Sequence, residues 1–118
     1  MLGLLQRSQK MTEYMRVASL WDLPPGQRMA VWISGVKVML VNVAGEIFAV
    51  DEQCTHAQCS LMVGPLHDTI IECPCHQATF ELRDGKVLKE PAIVDLPTYK
   101  VKTEGGYIWV EQKPPEIV

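Results

Sequence analysis

Along most of this chain apolar and polar side chains exchange places every second residue, and short glycine-containing pairs interrupt the exchange. Ser34-Gly35, Ala44-Gly45, Asp84-Gly85 and Gly105-Gly106 each fall between two such segments, the pattern of strands folded back through tight turns. The pattern predicts strands near residues 13 to 18, 28 to 33, 36 to 43, 46 to 50, 69 to 72, 78 to 82, 86 to 88, 98 to 103 and 107 to 111. Tyr99-Lys100-Val101-Lys102 alternates cleanly, whereas Met39-Leu40-Val41 does not and so predicts a strand covered on both faces. Helix is scarce. Ser19-Leu20-Trp21-Asp22 predicts one turn capped by Ser19 and stopped by Pro24-Pro25, and nothing else keeps a helical period for three turns. An all-β fold is expected.

At 118 residues and 13.3 kDa the chain has the size of a single domain. Residues 12–112 carry the strand pattern; residues 1–11 are expected to be a flexible N-terminal extension, and 113–118, with Pro114-Pro115, a C-terminal tail. A composition of 47% apolar and 21% charged residues is globular and excludes disorder. No apolar run exceeds five residues, and the Met1 to Leu5 stretch is too short for a signal peptide, so a soluble, cytoplasmic protein with no membrane partner is expected. A net charge of −3 is the wrong sign for a nucleic-acid binder. From Val38 to Leu82 there is no Lys or Arg, while Glu46, Asp51, Glu52, Asp68, Glu72 and Glu81 supply six acids, so this middle third suits a partner with a basic face.

Chemistry concentrates in the same stretch. All four cysteines and two of the three histidines form two short clusters, Cys54-Thr55-His56 followed by Cys59, and Cys73-Pro74-Cys75-His76. Each offers one Cys and one His one or two residues apart, so two loops brought together would present two thiolates and two imidazoles to a metal. Pro74 removes a backbone donor and favours a rigid loop over a continuing strand. By ligand chemistry alone, a tetrahedral zinc and a two-iron, two-sulfide centre held by two cysteines and two histidines are both open. His67 follows Gly64-Pro65 and reads as a solvated turn residue, and the three Trp residues read as packing anchors. No nucleophile with its base, phosphate loop or acid-base pair is present, so no residue is assigned a catalytic role.

The pattern Cys54-x-His56, sixteen intervening residues, then Cys73-x-x-His76, resembles the Rieske signature. The likeness runs from Ser60 through Gly64 to Asp68, along Ile70-Ile71-Glu72, through Phe80 and Asp84-Gly85-Lys86-Val87, to Glu90-Pro91-Ala92, Leu96-Pro97 and Tyr99. It covers about residues 13 to 112 and is to the soluble Rieske ferredoxins, such as those serving aromatic-ring dioxygenases. The resemblance implies a Rieske-like antiparallel β sandwich with a small cluster-binding subdomain of two hairpin loops, spanning about residues 52–80. It also implies one 2Fe-2S cluster per chain, with Cys54 and Cys73 on the inner iron and His56 and His76 on the outer, and it sets zinc aside. Such a site is neutral when oxidised, whereas four thiolates would start with two negative charges, so reduction is easier and the potentials run over roughly −150 to +300 mV.

Around the cluster the resemblance points in two directions. High-potential members, from cytochrome bc complexes, have a Ser and a Tyr hydroxyl donating to the cluster sulfurs where this chain has Ala78 and Phe80, which implies the low end of that range. Cys59 and Cys75 stand where the same members have a disulfide linking the two loops, so a possible Cys59–Cys75 bridge is also implied. Leu61, Met62 and Pro91 are candidates to shield the cluster. The function implied is that of a one-electron carrier, not an enzyme, monomeric in isolation, taking electrons from a flavin-dependent reductase and passing them to a terminal oxygenase or similar redox enzyme. The alternatives are a small Rieske subunit of a larger, nitrite-reductase-like complex and, further off, a zinc-stapled structural module.

Overall fold

A computed structural model describes residues 13–55, 58–90, 92 and 94–112. The expected extension at 1–11 and tail at 113–118 lie outside the described residues, as do His56 and Pro91. Among the described residues eleven strands run in chain order: β1 (Glu13–Ser19), β2 (Arg28–Ile33), β3 (Val36–Val43), β4 (Glu46–Asp51), β5 (Leu66–His67), β6 (Ile70–Glu72), β7 (Thr79–Glu81), β8 (Val87–Lys89), β9 (Thr98–Tyr99), β10 (Val101–Glu104) and β11 (Tyr107–Gln112). They form three antiparallel sheets, ordered β1-β11-β10, β2-β3-β4-β9 and β5-β6-β7-β8.

The second sheet is the middle layer, and the side chains of β3 show why. Met39 and Val41 point into one apolar cluster with Val50 of β4 and with Leu61, Ile71, Phe80 and Leu82 of the third sheet and its loops. Val38 and Leu40 point the other way, joining Ala49, Ile108 and Val110 against the first sheet. All four are fully buried, so the unbroken Val-Met-Leu-Val run reflects a strand with a core on each side. Asn42 is also buried; its side chain donates to the Leu23 carbonyl at 2.8 Å and accepts from the Gly45 amide at 2.8 Å, fixing the β3–β4 turn.

Ser19 caps a 3₁₀ turn, Leu20–Asp22, and Asp22 bonds back to the Ser19 amide at 3.1 Å, completing a reciprocal cap. A second 3₁₀ turn, Leu61–Val63, lies in the loop after β4 and carried no helical signal. The strand expected over 98 to 103 divides at Lys100: β9 pairs with β4 and β10 pairs with β11, so the chain changes sheets where alternation continues unbroken. His67 lies in the short strand β5 rather than in a turn, though exposed as expected, because it pairs with Ile70 across the Asp68-Thr69 turn. Trp21 and Trp32 are not packing anchors: they are 91% and 65% exposed, Trp21 on the first 3₁₀ turn and Trp32 on the outer face of β2, where Lys37 lies over its ring. Among the described residues no helix is long and apolar enough to cross a membrane.

Candidate metal centre

The third sheet exists to hold two loops. The first runs from β4 to β5, residues 52–65, and the second from β6 to β7, residues 73–78. In the first, the Cys54 amide donates to the Cys59 carbonyl at 2.9 Å and the Leu61 amide to the Glu52 carbonyl at 2.8 Å, closing a narrow finger. In the second, the Cys73 amide donates to the Ala78 carbonyl at 2.7 Å and the Gln77 amide to the Cys73 carbonyl at 3.0 Å. Gln77 takes a left-handed conformation (φ 65°), which turns the chain sharply after His76. The fingers touch at Gly64, where a Cβ would fall on the Glu72 carbonyl oxygen and come within 3.3 Å of Pro74 Cδ. A disulfide between Cys59 and Cys75 staples them, with Cα atoms 6.4 Å apart.

Of the four proposed ligands, Cys54 and Cys73 are buried, outside the disulfide, and in one apolar cluster with Leu61, Ala78 and Phe80. The sulfurs of Cys59, Cys73 and Cys75 lie within 4.8 Å of one another, which puts Cys73 against the bridge. His76 is exposed on the second loop, and His56 lies outside the described residues. Two thiols enclosed in apolar surroundings and an imidazole at the rim are a donor set that suits a [2Fe-2S] centre with one iron inside and one near solvent. Ala78 and Phe80 are fully buried and carry no side-chain donor. Leu61 is core, Met62 is only partly buried, and Pro91 lies outside the described residues.

Two contacts escaped the reading of the sequence. Arg28 donates through Nη1 to the carbonyls of Leu61 and Met62, and Thr55 Oγ1 donates to the Val94 carbonyl. All three bonds end on backbone carbonyls more than thirty positions away, and a backbone acceptor leaves no trace in residue type.

A three-sheet β domain with paired loops that present Cys and His is the architecture of a small iron–sulfur electron carrier. Residues 13–100 match the model of the Rieske [2Fe-2S] domain, and the chain belongs to that family. It is 35% identical to the ferredoxin component of the naphthalene 1,2-dioxygenase system of Pseudomonas aeruginosa, over 86% of this chain and 98% of that protein. It is 41% identical to the 3-phenylpropionate/cinnamic acid dioxygenase ferredoxin subunit of Escherichia coli strain K12, over 76% and 85%. Among solved structures, the ferredoxin of carbazole 1,9a-dioxygenase from Nocardioides aromaticivorans IC177 superposes with a TM-score of 0.79 at 33% identity, covering 85% of this chain and 98% of that one. The ferredoxin fold also matches within a complex of reduced oxygenase and oxidized ferredoxin of carbazole 1,9a-dioxygenase (TM-score 0.79, 27% identity, 88% and 97% covered). A putative NADH-dependent nitrite reductase small subunit from Mycobacterium tuberculosis shares the fold at 22% identity (TM-score 0.78, 89% and 99% covered). The protein therefore carries a Rieske [2Fe-2S] cluster and works as an electron carrier rather than as an enzyme with its own substrate.

Proposed function

We propose that this chain takes one electron at a time from a flavin-dependent reductase and delivers it to the terminal oxygenase of a ring-attacking dioxygenase system. The cluster would be held by Cys54 and Cys73 on the inner iron and by His56 and His76 on the outer, and when bound it supplies reversible one-electron chemistry. The observation that carries this reading is the pairing of two enclosed thiols with an exposed imidazole on adjoining loops, in a domain whose relatives are named ferredoxin components.

The protein's own residues divide the work. Cys54 and Cys73 keep the inner edge dry; His76, at the rim, offers the short route to a docked partner. Val63 and Val94 stand 76% and 58% exposed on the first loop and on the segment after Pro91, and Val63 lies in the stretch from Val38 to Leu82 that has six acids and no Lys or Arg. That mixture suits a small, short-lived interface steered by a basic partner face. Residues 12–112 are the functional domain, the protein acts in the cytoplasm, and it is monomeric between encounters.

The purified full chain, mixed with NADH and the reductase of an aromatic-ring dioxygenase system, should be reduced by one electron per cluster and reoxidised on adding the oxygenase with its substrate. Gel filtration should give a monomer. A chain that co-purifies in a large hetero-oligomer and is not reduced by such a reductase would favour the nitrite-reductase-like subunit, and replacement of His56 or His76 by Cys that leaves the potential unchanged would remove the proposed ligand set.

A further inference from the structure

The first loop has a tie to the base of the molecule that the ligand pattern does not include. Arg28, on β2 and paired with Val41 of β3, sends Nη1 to the carbonyl oxygens of Leu61 at 2.8 Å and Met62 at 3.0 Å, 33 and 34 positions away. Both carbonyls belong to the 3₁₀ turn Leu61–Val63, whose last carbonyls a turn that short cannot all satisfy internally. The turn's other bonds are the Leu61 amide to the Glu52 carbonyl at 2.8 Å, just past the end of β4, the Met62 amide to Ser60 Oγ at 3.1 Å, and the Gly64 amide to the Leu61 carbonyl at 3.3 Å. Arg28 adds a side-chain tie from β2 to the turn's carbonyls. What it fastens matters, because the Leu61 side chain is fully buried in the cluster that also contains Cys54 and Cys73.

The charge is as unusual as the position. Burial pulls the Arg28 guanidinium below its ordinary pKa, yet among the described residues no carboxylate forms an ion pair with it. Two carbonyl dipoles carry it instead. The stretch it enters, Val38 to Leu82, has six acids and no cation of its own. A fixed positive charge in partly dry surroundings interacts more favourably with a site that has gained an electron than with the neutral one.

We propose that Arg28 is a positioning residue for electron transfer: it locks the Leu61–Val63 turn over the Cys54 side of the cluster and sets a positive charge behind the first loop, favouring the reduced state. This rests on the proposed ligand set, since the turn's Leu61 is buried in the cluster that holds Cys54 and Cys73. In the full-length holoprotein, Arg28→Gln should lower the midpoint potential and release iron to a chelator about tenfold faster, the scale seen when groups supporting a metal ligand are removed. Arg28→Lys, which keeps the charge without the planar fork, should recover most of the potential while iron release stays fast. Backbone hydrogen exchange at Met62 and Gly64, read on the chain as isolated, should quicken in both variants. An unchanged potential in Arg28→Gln, or an equal fall in both variants, overturns the charge role. Unchanged exchange and unchanged iron release overturn the locking role, and Arg28→Lys carries this arm should Arg28→Gln not fold. Failure of the ligand set looks different: the wild-type chain would hold no cluster, while the exchange data would still report on Arg28.

Discussion

Thr55 Oγ1 donates a 2.7 Å hydrogen bond to the carbonyl of Val94, 39 positions downstream. Thr55 stands between Cys54 and His56, and Val94 belongs to the segment that follows Pro91, so one bond ties the first loop to that segment. Two further bonds hold that stretch to the β7–β8 hairpin: the Leu96 amide to the Gly85 carbonyl at 2.7 Å, and the Val87 amide to Asp95 Oδ1 at 3.0 Å. Thr55→Val keeps the shape and removes the donor. It should cost about 0.5–1 kcal/mol in denaturant unfolding and raise backbone exchange at Ala92 and Val94 more than in the base strands. Exchange that rises uniformly would mean the bond supports the whole domain and not this segment.

Gly64 and Gly85 are required for different reasons. Gly64 has an ordinary backbone conformation (φ −76°), and only the Glu72 carbonyl forbids a side chain there. Gly85 adopts φ +78°, and a Cβ would also strike the Leu96 carbonyl, with Thr98 Cγ2 at 3.0 Å. Gly64→Ala should therefore destabilise by about 1–3 kcal/mol through overpacking, and Gly85→Ala should cost more because backbone strain adds to the clash. Gly35→Ala is the control: φ is +83° but the space is open, so it should cost only about 1 kcal/mol. Thermal unfolding of the three variants should follow that order.

The Cys59–Cys75 bridge closes a loop with a sequence separation of 16. Loop-closure entropy values such a staple at about 3 kcal/mol. Replacing both cysteines by Ala should lower the unfolding free energy by about that much and hasten loss of iron, whereas dithiothreitol should affect only the parent protein. A double variant as stable as the parent in non-reducing buffer would make the bridge incidental.

The boundaries of β2 and β3 were readable to the residue because each ends at a turn whose Gly must take positive φ, and because β3 is apolar on both faces. The candidate ligands Cys54, His56, Cys73 and His76 could be singled out because their chemistry is rare and their spacing local. The partition of residues 98–104 was not: alternation reports that a strand has a wet face, never which strand it pairs with, and Lys100 marks a change of partner without a change of pattern. Trp21 and Trp32 were misread because size predicts burial only on average; Trp32 alternates with the fully enclosed Ile33 and so must face outward. Arg28 was silent, since a cation that bonds only to distant backbone has no partner in the sequence to reveal it.

Tyr99, on β9, donates its hydroxyl to Asp51 Oδ1 at 2.6 Å, where β4 hands over to the first loop. Burial, then the bond to Asp51 and its negative charge, push the phenol well above its ordinary pKa. A group whose folded pKa is raised contributes stability that is complete below its unfolded value, about 10, and is lost as pH climbs through the folded value. Spectrophotometric titration should show a tyrosine that ionises only in strongly alkaline solution, and Tyr99→Phe should remove that step. The stability difference between parent and variant should stay constant below about pH 10 and shrink above it. A difference that grows with alkalinity would reverse the assignment.

Ala78 and Phe80 set the expected redox range. Both side chains are fully enclosed beside Cys73, and neither offers a proton to a sulfur of the bound cluster. A hydrogen bond to such a sulfur favours the more negative, reduced state, so a pocket lacking these two hydroxyls should place the midpoint in the lower part of the roughly −150 to +300 mV span of Rieske centres. Ala78→Ser with Phe80→Tyr should raise it. The Tyr hydroxyl is the sharper probe, because an unsatisfied buried hydroxyl costs about 1–3 kcal/mol. Phe80→Tyr should thus be clearly less stable in the cluster-free chain than in the holoprotein, where a sulfur can accept its proton. A parent midpoint above about +150 mV, within that same span, would mean that other donors serve the sulfurs; a double variant with an unmoved midpoint would place Ala78 and Phe80 away from them.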